Sequence, residues 1–197
     1  MGFVCVDVDG TLLNLNEALK VKLKEIGLDY KYENITHYDF RGDIGVNPKE
    51  HIYPLFNDLY IFSLELLYPF EGALEALDDL TTLTEVKMYT GLKTSNQNIV
   101  LLRDAFGHNH NMTGNSFVGN KPVMLGADAL FEDCFETCEE WIKAGYEGYV
   151  FLIDQPYNQQ INNNPSSSVW SKIIRCEDFA DAVKKYTQIY TEKGYFG

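Results

Sequence analysis

Apolar positions fall into two kinds of run along this chain, and they alternate. Phe3-Val4-Cys5-Val6 is a short β-prone run of the kind that forms a buried strand, and it stops abruptly at Asp7-Val8-Asp9-Gly10-Thr11. Asn14 or Asn16 caps an amphipathic helix running to about Ile26 and ended by Gly27. Residues 28–47 are aromatic, polar and irregular. From Pro48 to about Leu67 a second helical stretch follows, with Pro54 breaking or kinking its start. Ala73–Leu80 is strongly amphipathic, and Thr84–Tyr89 is the next strand, ending in Thr90-Gly91. The pattern then predicts a helix over Lys93–Phe106, a polar loop over 108–115, a short strand at Ser116–Val118, a strand at Ala127–Phe131, a helix over Cys134–Ala144 and a strand at Tyr149–Ile153. A long polar loop, Asp154–Ser168, leads to a last strand or extended segment over Val169–Arg175 and a final helix Glu177–Tyr190.

From residue 72 onward strand and helix alternate, which implies an α/β fold: a doubly wound parallel sheet with helices on both faces. Two helical stretches intervene between the first strand and Pro69. They predict a small inserted helical cap over residues 14–69, with residues 1–13 and 70–197 forming the core. The low-complexity stretch Asn158–Ser168 reads as a surface excursion.

Composition narrows the partners. The chain has 197 residues, enough for one core plus a cap, and a net charge of −13 with no basic run, which argues against a nucleic-acid polymer as ligand. It leaves a small anionic substrate open, because a local cation reverses the field inside a pocket. No apolar run approaches the ~20 residues needed to span a membrane. The core strand begins at once, leaving no room for a signal peptide, and a reduced cytoplasmic setting is expected for the four cysteines. Cys134 and Cys138, spaced four apart with no His or further Cys nearby, read as structural.

The strand ends carry the chemistry. Tips of an open parallel sheet converge on one crevice. The first tip supplies Asp7 and Asp9, with Gly10 allowing the chain to turn close to a ligand; the second supplies Thr90. Lys121 precedes the third long strand, and Glu132-Asp133 follows it. Paired carboxylates suit a hard cation, and the set as a whole provides a nucleophile, a proton donor, a cation and metal ligands, as an in-line attack on phosphorus requires. Asp128 lies at the other end of its strand, ~13 Å from the tip, which favours Asp133 as the direct metal ligand with Glu132 in support.

Asp7-Val8-Asp9-Gly10-Thr11-Leu12 after an N-terminal strand resembles the first motif of the haloacid dehalogenase superfamily, whose members are mostly Mg²⁺-dependent phosphatases; Thr90, Lys121 and Glu132-Asp133 match the other three motifs in order. The resemblance implies Asp7 as a nucleophile forming an aspartyl-phosphate. It implies Asp9 as general acid and then base, with its carbonyl also on Mg²⁺. Thr90 and the Gly91 N–H would hold phosphate, Lys121 would neutralise it, and Asp7, Asp9, Glu132 and Asp133 would bind the metal. Glu132 departs slightly from the acidic pair usual in the superfamily.

Within the superfamily the chain is similar to the 5′(3′)-deoxyribonucleotidase family. The similarity rests on the short cap, Tyr38-Asp39-Phe40, Pro69-Phe70-Glu71-Gly72-Ala73, the stretch Gly126–Asp133, and Asp154-Gln155-Pro156-Tyr157-Asn158 followed by Trp170. It implies hydrolysis of deoxyribonucleoside 5′-monophosphates, with Tyr38, Phe40, Phe62 and Tyr68 as aromatics to stack on a base and Arg41 to meet a charged group. Another phosphomonoester, such as a sugar phosphate or phosphoglycolate, is the alternative. A binding module that keeps the fold without catalysis, a phosphotransferase, and a homodimer also stay open.

Overall fold

The first apolar run forms β1 (Phe3–Asp7), buried along nearly its whole length. In this computed structural model the described residues are 2–28, 31–37, 50, 52, 54–55, 58–59, 66–89, 117–118, 126–163 and 170–192. Within them β1 is followed by α1 (Leu15–Glu25), α2 (Ala73–Leu83), β2 (Glu85–Tyr89), β3 (Phe117–Val118), β4 (Ala129–Glu132), α3 (Phe135–Lys143), β5 (Tyr149–Ile153), β6 (Ile173–Cys176) and α4 (Phe179–Glu192). The strands form one six-stranded sheet in the order β3-β2-β1-β4-β5-β6. Every pairing is parallel.

That order places the switch of winding direction between β1 and β4. The chain builds outward from β1 to β2 and β3, then returns to β1's other edge and builds β4, β5 and β6. A crevice opens at the carboxyl ends of the strands at such a point, and it is where α/β proteins bind ligands.

Alternation along the strands sorts the core into two layers. Val4, Val6, Ala129, Phe131, Phe151 and Ile153 face the larger cluster, with α2 and α4 packed over them. Phe131 stacks on Phe151, ring centroids 5.0 Å apart, and meets Phe179 edge-on. Cys5, Leu130, Val150 and Leu152 face the opposite way, against Cys138 and Trp141 of α3. All four cysteines are buried free thiols.

The segment 14–69 leaves and re-enters the core at one place. Asn14 N–H donates to the Tyr68 carbonyl at 2.8 Å, Phe70 N–H donates to the Leu12 carbonyl at 2.9 Å, and Leu13 bridges Pro69. Its described buried apolar residues, Ala18, Leu19, Leu23, Ile35, Ile52, Leu59 and Leu67, belong to the larger apolar cluster. The helix expected over Lys93–Phe106 and the loop 108–115 lie outside the described residues.

Two expectations need correction at the C-terminal end. Asp154–Ser168 is not a plain polar loop, because Pro156–Asn163 is a 3-10 helix. The last strand expected within Val169–Arg175 is present as β6, but it starts only at Ile173, after a 3-10 turn at Trp170–Lys172. The residue that begins the supposed surface excursion, Asn158, is 1% exposed, because its amide is hydrogen-bonded inside the protein.

Candidate active site

Register explains why a row of polar groups forms at the switch point. Asp7 is paired with Tyr89 of β2, and the β1–β4 register, Val6 opposite Phe131, brings Glu132 alongside Asp7 on its other side. Three adjacent strand tips thus present Tyr89, Asp7 and Glu132 to the same face of the sheet. The Tyr89 hydroxyl spans this row and donates to Glu132 Oε2 at 2.5 Å. Asp133 follows Glu132, and one carboxylate oxygen from each of Asp7, Glu132 and Asp133 lies within 4.8 Å of the other two.

All three acids are buried: Asp7 is 5% exposed, Glu132 3% and Asp133 1%. Burial lifts the Asp7 carboxyl well above the ordinary range, and the neighbouring charges of Glu132, Asp133 and Asp9 add to the rise. Burial also raises Asp133 strongly, with the charge of Glu132 next in importance. Glu132 is raised by burial as well, but its hydrogen bonds oppose the shift. The Tyr89 hydroxyl is pushed far up by burial and by these same charges, so it keeps its proton and remains a donor.

The hydrogen-bonding of the two β4 acids differs. Glu132 Oε2 accepts from Tyr89, and Oε1 accepts from the backbone N–H groups of Asp133 at 3.2 Å and Cys134 at 3.0 Å. Asp133 Oδ2 accepts from the Tyr157 hydroxyl, while its Oδ1 is buried without a hydrogen-bond partner among the described residues. A buried carboxylate oxygen left unbonded is costly, and three converging carboxylates repel. A divalent cation answers both problems, so the residues present fit a metal, with oxygen-only ligands of the kind hard cations take.

Gly10 makes this approach possible. Its φ is +87°, and a Cβ there would stand 2.1 Å from Asp133 Oδ2 and 3.0 Å from the Tyr157 hydroxyl. The β1 and β4 loops touch at this point because no side chain separates them.

Of the residues singled out from sequence, the structure brings Asp7, Glu132 and Asp133 together. Asp9 is near enough for its charge to act on Asp7, though its carboxylate is not one of the three that converge. Asp128 lies at the amino end of β4, its N–H bonded to the Phe3 carbonyl at 2.8 Å, away from the tips. Tyr68 stands at the point where the inserted segment rejoins the core and is 64% exposed. Thr90, Gly91, Lys121, Tyr38, Phe40, Arg41 and Phe62 lie outside the described residues.

Sequence reasoning missed Tyr89, Tyr157 and Asn158 as parts of this site. Tyr89 reads as one more core aromatic at the end of a strand, yet its position directly before the Thr90-Gly91 tip is the available signal.

No protein-family model matches the sequence, and a search of curated proteins returns no match. Comparison of structures does find relatives of shape. A haloacid dehalogenase-like family hydrolase from Streptococcus pneumoniae superposes with a TM-score of 0.56 at 13% identity, over 95% of this chain and 99% of that one. The chain has the haloacid dehalogenase-like fold. A candidate β-phosphoglucomutase from Bacteroides vulgatus gives 0.54 at 15% identity, over 97% of this chain and 89% of that one. CbbY from Rhodobacter sphaeroides, solved in complex with phosphate, gives 0.51 at 14% identity, over 92% and 96%. These similarities extend through almost the whole of this chain, and none of the three is a nucleotidase by its description.

Proposed function

We propose that this protein is a metal-dependent phosphatase that hydrolyses a small phosphomonoester. The observation that carries the reading is the convergence of Asp7, Glu132 and Asp133, buried, at the switch point of a haloacid dehalogenase-like sheet. Asp7 attacks phosphorus through a carboxylate oxygen. The ester P–O bond breaks, and the leaving alcohol takes a proton from Asp9. Water then attacks the phosphorus, Asp9 takes the water's proton, and Asp7 is released with inorganic phosphate. Asp133, whose Oδ1 is buried without a hydrogen-bond partner among the described residues, would be the direct ligand of a divalent cation, for which Mg²⁺ is the hard ion that suits carboxylates and phosphate; Glu132, its oxygens engaged by Tyr89 and two N–H groups, would support it. A cation held there would supply positive charge against the acids and the substrate, so that Asp7 could be ionised despite its burial. Thr90, Gly91 and Lys121 complete the phosphate site, and residues 14–69 act as the cap. The solved structures that resemble the chain favour the broad class over the deoxyribonucleotidase reading, which stays as one member of it.

The test is phosphate release with Mg²⁺ across a panel of deoxyribonucleoside 5′-monophosphates, sugar phosphates and phosphoglycolate. Hydrolysis is expected for at least one class, with Asp7→Asn lowering it about 10³-fold or more while the circular dichroism spectrum is unchanged. Asp7→Asn with near-normal turnover would overturn the mechanism. No release from any ester would leave a binding module.

A further inference from the structure

The turn after β5 touches both halves of the acidic site. Asn158 Nδ2 donates to the Asp133 carbonyl at 2.9 Å and to the Ile153 carbonyl at 2.7 Å. Its Oδ1 accepts from Gln155 N–H at 3.1 Å and from Arg175 Nη2 at 2.7 Å. Every hydrogen-bonding position of this buried amide is therefore used. Three residues earlier, Gln155 Nε2 donates to the Gly10 carbonyl at 2.7 Å, holding the β1 loop, and Gln155 Oε1 accepts from the Tyr32 hydroxyl of the inserted segment. Between them Tyr157 donates to Asp133 Oδ2 and meets the Tyr32 ring edge-on, centroids 6.3 Å apart. Arg175 of β6 anchors the turn, pairing with Asp154 at 2.5 Å and donating to the Asn158 carbonyl at 3.3 Å.

We propose that Gln155 and Asn158 are positioning residues for the metal site: Asn158 fixes the Asp133 backbone and Gln155 fixes the Gly10 turn, so that the acids from two strands are held at the spacing a cation needs. This rests on the reading of Asp7, Glu132 and Asp133 as a metal site. Such supporting contacts bear on affinity because converging carboxylates otherwise move apart. Tyr32 ties the inserted segment to the same device, so the position of that segment and the order of the acidic cluster are linked.

Mn²⁺ binding, followed by calorimetry and by the electron spin resonance signal of free Mn²⁺, provides the test. Asp133→Asn establishes that the signal belongs to the cluster. Asn158→Leu, which keeps the branching at Cγ but removes every hydrogen-bonding atom of the amide, is expected to weaken Mn²⁺ binding about tenfold or more with its circular dichroism spectrum retained. Gln155→Met, which removes the bond to Gly10 without emptying the site, is expected to weaken it about threefold to tenfold. If Asn158→Leu does not fold, Gln155→Met decides. Folded variants that bind Mn²⁺ as tightly as the wild type would overturn the proposal, even if the wild type hydrolyses phosphomonoesters. Conversely, Mn²⁺ binding that depends on Gln155 and Asn158 in a protein that hydrolyses none would retire the phosphatase reading and leave the positioning role standing.

Discussion

Gly10 is the residue on which the close approach of the two loops depends. A non-glycine residue at its left-handed φ costs roughly 1–2 kcal/mol, and here a methyl group would also press on the Asp133 carboxylate. Gly10→Ala is expected to lower the melting temperature by about 4–8 °C, taking ~2 kcal/mol and the usual sensitivity of a domain of this size. Because the clash falls on Asp133, Mn²⁺ affinity should fall as well. A thermal melt together with a Mn²⁺ titration checks both, and a variant with wild-type values in each would show that the loop relaxes without cost. The importance of Gly10 is legible in the sequence, since a glycine after two acids at a strand tip announces a tight turn near a ligand. What it touches is not legible, because Asp133 follows β4, which lies beside β1 only after the sheet has wound back, and Tyr157 lies in the turn after β5.

At the level of elements, local signals sufficed where partners are local. Asn14 caps α1, its Oδ1 accepting from Glu17 N–H at 3.2 Å, and Gly27 follows the helix with φ +79°. The Tyr149–Ile153 strand falls where its apolar run predicts. From the sequence, residues 154–163 read as loop because their polar amides gain their meaning from distant groups: Gln155 reaches Gly10, and Asn158 reaches Asp133 and Arg175. A run of Gln and Asn has no local preference that reveals burial. Asn14→Ala isolates the local kind of signal. It removes one cap bond from the helix that opens the inserted segment and should destabilise the protein by about 1 kcal/mol, roughly 2–4 °C in the melt. A loss much larger than this would mean that the cap also supports the junction where Asn14 N–H meets the Tyr68 carbonyl.

Over the whole molecule, burial of an acidic cluster sets how stability depends on pH when metal is absent. Asp7, Glu132 and Asp133 are all raised in the folded state. Above about pH 4 the unfolded chain releases these protons while the folded chain holds them, so stability falls as pH rises until the raised folded values are passed. Other shifted groups act elsewhere. Asp181 is lowered and loses its contribution only in acid; Lys22 and Lys185 are raised and act in strong alkali; Cys5 and Cys176, pushed up to about 12, act on the alkaline side. In EDTA the melting temperature should therefore drop between pH 5 and pH 8. One retained proton corresponds to about 1.4 kcal/mol per pH unit, or roughly 3–5 °C at the sensitivity of a domain this size. A divalent cation replaces those protons, so Mg²⁺ in excess should flatten the slope and stabilise the protein more at pH 8 than at pH 5. Replacing Asp133 by Asn removes one of the mutually repelling acids, and in EDTA it should make the slope shallower while abolishing the response to Mg²⁺. A melting temperature in EDTA that is level or rising from pH 5 to pH 8 would mean that the carboxylates are not held together without metal, and that the cation assembles the cluster instead of entering one already formed.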